Sequence, residues 1–158
     1  MGQESVSSAL LYLVLQLMRI VKADLAEGSD GVSVSPSQYR ILRRLLQGEA
    51  TVSELAEWNA VTLPTATKIL DVLVDRGWVE RWRSKVDRRL VYVGLTDRGR
   101  AVQAELEQRA TGSVGELLAQ LGEEDLAAVS QGVAALNDIL AQEERAQLAQ
   151  QSSSPGED

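Results

Sequence analysis

Between Val79 and Leu95 the apolar residues of this chain stop recurring at the 3.6 spacing of a helix and alternate with period two. Val79-Glu80-Arg81-Trp82-Arg83 predicts one strand and Leu90-Val91-Tyr92-Val93-Gly94-Leu95 another, with Val91, Val93 and Leu95 on one face. The six residues between them, Ser84 to Arg89, read as a polar, basic hairpin loop. Any fold for this chain must therefore place one small β-ribbon after a run of short helices and before longer ones. At 158 residues the chain has the length of about one domain, enough to bury a real core.

The helices before the ribbon carry clear start signals. A first helix is expected from Ser5 to Glu27, with Leu10, Leu13, Val14, Leu17, Met18, Val21 and Leu25 at helical spacing. Gly28 to Val34 reads as a loop. Ser35 is then an N-cap, with Pro36 at the first helical position and Gln38 completing a capping box. Tyr39, Ile41, Leu42, Leu45 and Leu46 are the expected buried side of this second helix, and Gly48 suits its end. Thr51 and Glu54 repeat the device for a third helix carrying Leu55 and Ala56, and Asn59 to Thr62 reads as a turn. A fourth helix starts near Thr62 to Pro64 and stops at Gly77, with Ala66, Ile69, Leu70 and Leu73 as its apolar stripe. Its opposite face carries Pro64, Thr67, Lys68, Asp71 and Asp75, with Thr65 on a flank. After the ribbon, Thr96 caps a fifth helix (Val102, Leu106, Ala110, Leu117, Leu118, Leu121) that Gly112 and Gly115 weaken. Glu123-Glu124-Asp125 opens a sixth, striped by Leu126, Val129, Val133, Leu136 and Leu140. From Gln150 onward the composition predicts a disordered tail.

Charge is unevenly spread. The net value of −7 argues against a polyanionic partner if taken whole. Yet residues 61–100 carry 9 basic against 5 acidic groups, while residues 101–158 carry 2 against 11. Arg81, Arg83, Lys85, Arg88 and Arg89 crowd residues 81–89, with Asp87 alone opposing them there. A local patch, and not the total, steers a polyanion. Cysteine and histidine are both absent, which removes thiol chemistry, disulfides, Cys/His zinc sites, histidine acid–base catalysis and histidine pH switching. No metal site, cofactor or enzymatic role is expected. No uninterrupted apolar run approaches the roughly 18 residues of a membrane span, and no signal peptide is evident, so a cytoplasmic location without membrane attachment is expected.

Three short helices followed by a two-stranded ribbon describe a mostly α winged helix-turn-helix, its third and fourth helices forming the pair and the fourth reading the major groove. The first and sixth helices are apolar enough to be an interface, which a lone winged helix of about 90 residues would not need. The expected organisation is an N-terminal helix and loop over 1–34, the winged helix-turn-helix over 35–96, C-terminal helices over 97–149, and the tail over 150–158.

Several segments resemble the multiple antibiotic resistance regulator (MarR) family. Val34 to Leu42 is similar to its second-helix opening, and Ser53-Glu54-Leu55-Ala56 with Pro64 to Leu73 to its helix-turn-helix. Gly77-Trp78-Val79-Glu80-Arg81, then Asp87-Arg88-Arg89, then Leu95-Thr96-Asp97-Arg98-Gly99 match its wing signature in order and spacing. The resemblance spans residues from about 5 to 148. It implies a homodimer formed through the first, fifth and sixth helices, bound to a pseudo-palindromic operator in double-stranded DNA. It further implies a repressor released by a small aromatic or lipophilic effector.

On this reading Arg89, which matches the arginine of the family's Asp-x-Arg, enters the minor groove, and Asp87 holds that arginine or its loop in place. Arg83, Lys85 and Arg88 contact phosphates. Arg81 matches a position with a structural ion pair. Pro64, Thr65, Thr67 and Lys68 present the fourth helix to DNA; lysine lacks the bidentate geometry of arginine, so strong guanine reading is not expected there. Tyr39 and Arg40 are candidates for an effector pocket. Trp58, Trp78 and Trp82 are expected to pack in the core or at the wing base. The rival to a DNA-binding regulator is a winged-helix module that binds protein.

Overall fold

Ser35 and Thr51 start their helices as their side chains dictate. The computed structural model describes residues 2–26 and 32–152. Gln38 N–H donates to Ser35 Oγ at 3.2 Å while Gln38 Oε1 accepts the Ser35 N–H at 2.8 Å, opening α2 (Pro36–Leu45). Thr51 and Glu54 make the same reciprocal pair at the start of α3 (Val52–Trp58). Thr62 caps α4 (Leu63–Asp75), and Gly77, at φ +70°, ends it in the left-handed conformation that glycine adopts without strain. The turn between α3 and α4 holds a left-handed non-glycine residue, Ala60, at φ +52°.

The ribbon forms in the expected register. β2 (Val79–Arg83) pairs antiparallel with β3 (Val91–Leu95), placing Val79 opposite Leu95 and Arg83 opposite Val91. A third strand was not expected. β1 (Ala50–Thr51) pairs on the far side of β3, giving the order β1-β3-β2. Two residues are too few to show an alternation, so only the pairing reveals it.

The remaining helices are α1 (Gln3–Ala26), α5 (Asp97–Leu118) and α6 (Glu123–Ser152). α6 runs three residues into the segment read as a tail, whose remainder, 153–158, lies outside the described residues, as do residue 27 at the end of the expected first helix and residues 28–31 of the expected loop. The chain divides into two compact units, Met1–Gly115 and Glu116–Asp158.

The core of the first unit gathers Leu25 of α1, Ile41, Leu42 and Leu45 of α2, Leu55 of α3, and Leu70 and Leu73 of α4. Trp78, Val79, Val93, Leu95 and Leu106 complete it. Leu46, expected on the buried side of α2, is 49% exposed: it lies just past the last helical residue, where the backbone leaves the core. Gly99 is required by packing. A Cβ there would land on the Trp78 carbonyl oxygen, so the first turn of α5 can lie against the start of β2 only without a side chain. Arg109 of α5 donates to the carbonyls of Asp24, Leu25 and Val32 and so ties the C-terminal end of α1 to this unit.

α1 also corrects an expectation. Averaged over a window and not counted as an uninterrupted run, Glu4–Ala26 reaches a mean hydropathy of 1.5, long and apolar enough to span a membrane by length and composition. Its last turns carry Arg19, Lys22 and Asp24, and Leu25 is fully buried in the core.

Candidate nucleic-acid interface

α4 presents its first turn to solvent. Pro64, Thr65 and Lys68 are exposed, and Thr67 is half-buried. Thr65 Oγ1 lies 2.8 Å from the Thr62 hydroxyl, and Thr67 Oγ1 donates to the Leu63 carbonyl at 2.9 Å. Both threonine hydroxyls are thus engaged within the helix's own first two turns. Lys68 is the one candidate in this turn with a mobile charge.

Arg81 joins this helix to the wing. Its guanidinium donates to Asp71 Oδ1 at 2.6 Å and to the Thr67 carbonyl at 3.1 Å. The strut spans β2 and α4 and neutralises the acid nearest the helix tip. The structural ion pair implied by the family resemblance is therefore present.

The wing tip is built from two short turns. Ser84 Oγ accepts the N–H groups of Val86 and Asp87 at 3.2 Å each. Asp87 Oδ1 accepts the Arg89 N–H at 2.9 Å, and the Asp87 carbonyl accepts the Leu90 N–H at 3.0 Å. Asp87 therefore supports the wing through the backbone of Arg89 and not through its guanidinium. Val86 stands at the apex, 98% exposed. The side chains of Arg83, Lys85, Arg88 and Arg89 are exposed and, among the described residues, make no ion pair. Unpaired cations held on an ordered loop are suited to a polyanion, because no internal partner has to be displaced.

Thr67, Arg81 and Arg89 line one hollow of about 330 Å³, closed by Thr51, Val52 and Ser53 at the start of α3 and by Leu63, Leu90 and Val91. The helix tip and the wing thus share a surface. β1 contributes by pinning Thr51 opposite Tyr92, which brings the start of α3 to the same place. Arg83 and Lys85 line a second hollow of about 510 Å³ with Glu49, Trp82, Ser84 and Tyr92. Trp82 stacks on Tyr92 with ring centroids 6.4 Å apart.

Tyr39 and Arg40 engage different elements. The Tyr39 hydroxyl donates to Glu107 Oε2 on α5 at 2.6 Å, whereas Arg40 donates to the Trp58 carbonyl at 3.0 Å and lies over that indole. Burial first, and then the hydrogen bond and charge of Glu107, push the Tyr39 phenol from 10.0 up to about 12. Trp78 is buried in the core beneath Arg76, and Trp82 packs at the wing base. Sequence reasoning missed Glu107 and Arg109, whose partners lie 68 to 85 residues away. Ser84 was readable as a turn-forming residue three positions before Asp87.

Comparison with known proteins agrees with this geometry. The model of the MarR family matches residues 34–91. The chain is 30% identical over 130 residues to the uncharacterized HTH-type transcriptional regulator YfiV of Bacillus subtilis, covering 80% of this chain and 81% of that protein. It is 34% identical over 79 residues to YpoP, an uncharacterized HTH-type transcriptional regulator of the same organism, a match spanning 56% of that relative's length. Among solved structures, Streptococcus pneumoniae FabT in complex with DNA superposes with a TM-score of 0.67 at 24% identity. That match covers 89% of this chain and 99% of FabT, and it shows a shared fold.

Proposed function

The chain belongs to the MarR family, and on that premise we propose that it is a DNA-binding transcriptional regulator, a repressor acting as a homodimer on a pseudo-palindromic operator. The observation that carries the reading is the shared surface of the N-terminal end of α4 and the wing, with Lys68, Arg83, Lys85, Arg88 and Arg89 all exposed and, among the described residues, without an ion pair. An overall charge of −7 does not oppose it, since the acids gather elsewhere in the chain. FabT, which shares the fold, is seen bound to DNA.

In this proposal α4 enters the major groove, with Pro64, Thr65, Thr67 and Lys68 nearest the bases. Arg89 enters the minor groove, while Arg83, Lys85 and Arg88 hold phosphates. The helices over 1–34 and 97–149 form the dimer, and their open apolar side chains support that role. A small aromatic or lipophilic effector would act by disturbing α2, where Tyr39 and Arg40 each hold a distant partner. The site of action is the cytoplasm, and catalysis forms no part of the reading.

The test is selection of bound duplexes from a random pool, followed by titration of the selected DNA at several salt concentrations. Affinity should fall linearly on a log–log plot, steeply enough for several released counterions. Failure to enrich any duplex, or a flat salt response, would overturn the proposal in favour of a protein partner.

A further inference from the structure

The larger hollow at the wing, about 510 Å³, is lined by neither α4 nor Arg89, and its size is that of a small-molecule site. Its floor is aromatic. Trp82 lies across Gly94, where an added Cβ would come within 2.8 Å of the indole. The indole is thus seated on bare backbone, stacks on Tyr92 at 6.4 Å and stays 37% exposed. An open aromatic surface held against a sheet is a platform for stacking a flat ring. The charges of the hollow stand apart. Glu49 immediately precedes β1 on one edge of the sheet, Arg83 ends β2 on the other, and Tyr92 lies on the strand between them. Two strand spacings separate those edges, roughly 10 Å. Lys85 follows Arg83 into the wing. Among the described residues, Glu49, Arg83 and Lys85 make no ion pair. An acid and two cations therefore line one hollow without neutralising one another.

A ligand that engages all of these groups is flat, offers N–H donors at one end and carries an anion at the other. A simple aromatic acid satisfies the cations but brings no donor to Glu49. A duplex backbone passing here sets further negative charge beside that acid and has no ring for the indole. A guanine nucleotide meets every requirement. Its base has a face for Trp82, and the ring N–H and amino group lie side by side, as a carboxylate that only accepts requires. Its phosphate pairs with arginine and lysine through charge-assisted hydrogen bonds. The same chemistry is offered by a free nucleotide and by an unpaired guanine in a single strand.

We propose that this hollow binds a free guanine nucleotide, with the base stacked on Trp82, its donor edge on Glu49 and its phosphate on Arg83 and Lys85. Those two cations are also phosphate contacts in the function proposed above. A bound nucleotide withdraws them from DNA and lowers operator affinity. This second step rests on the DNA-binding reading, whereas nucleotide binding stands without it.

Guanosine monophosphate is titrated into the full-length protein up to millimolar concentration, followed by calorimetry and tryptophan fluorescence. Saturable binding with quenching is expected. Trp82→Leu should weaken binding about tenfold and remove the quenching, while Trp58 and Trp78 still report. Glu49→Gln, at an exposed position, tests the base edge without touching the floor. It should weaken binding several-fold and narrow the preference over inosine monophosphate, which lacks the amino group. Absence of saturation in wild type overturns the proposal, as does equal binding of benzoate or unchanged affinity in both variants. A short guanine-containing single strand is titrated alongside. Saturation by the strand and not by the free nucleotide would assign the hollow to an unpaired base and overturn the soluble ligand. In competition, the nucleotide should weaken binding of the selected duplex several-fold, and unchanged duplex affinity overturns the withdrawal of Arg83 and Lys85. A chain that holds no duplex even without nucleotide removes the DNA-binding reading and leaves the nucleotide titration to stand on its own result.

Discussion

Arg89 is held by its backbone N–H and, among the described residues, its guanidinium has no partner, so replacing it would remove the proposed DNA contact without removing a structural one. Arg89→Ala should lower affinity for the selected duplex by about 1–3 kcal/mol and reduce the salt slope by about one, at unchanged melting temperature. Unchanged binding would strike Arg89 from the interface. Gly99 predicts the opposite split. Gly99→Ala forces a Cβ onto the Trp78 carbonyl, and thermal unfolding should show a loss of about 3 kcal/mol or more. A variant as stable as wild type would mean that α5 can shift away from the sheet. Tyr39 supplies a pH test. Its phenol is raised from 10.0 to about 12, so the neutral form is the one the fold favours. The stability it contributes is fully present below pH 10 and is lost as the pH rises towards 12. Tyr39→Phe should therefore unfold with a shallower pH dependence than wild type in that window. Equal slopes would show that the Glu107 bond does not hold the phenol neutral.

Elements here are positioned by a few cross-connections. The Arg81–Asp71 pair is partly exposed, so it adds at most about 1 kcal/mol to stability. Its value lies in geometry, since it sets the wing against the reading helix. Asp71→Asn should lower the melting temperature by no more than about 4 °C, the shift that roughly 1 kcal/mol produces in a chain of this size, yet weaken DNA binding several-fold. A parallel fall in both quantities would make the pair a plain stabiliser. The element starts were legible because capping is local: Ser35 with Gln38, and Thr51 with Glu54, act across three residues. β1 was illegible because a two-residue strand exists only through its partner. The α3–α4 turn was readable as a turn, but its left-handed residue is an alanine, where glycine would have signalled the conformation.

At the scale of the molecule, charge and exposure divide along the chain. The densest cluster of cations lies on the wing, close to the tip of α4, and the longest stretches of open apolar side chains lie on α1 and α6. In the proposed homodimer, two copies related by a two-fold axis would each bring one reading helix to the operator. Footprinting on the selected DNA should then reveal an inverted repeat with half-sites about one turn, roughly 34–36 Å, apart. A single unrepeated site would contradict a symmetric dimer on DNA.

Periodicity, caps and the change of period at Val79 determined the order and nature of the elements, because each signal acts between residues a few positions apart. The same local reading assigned the basic loop and the polar tip of α4. What lies beside what was decided only in three dimensions. Tyr39 reaching Glu107 and Arg109 closing on α1 join residues far apart in the chain, and no local pattern encodes such a meeting. Exposure followed the same rule. The stripes of α1 and α6 read like those of buried helices, yet whether an apolar face is covered depends on what stands opposite it, which is a property of packing and not of sequence spacing.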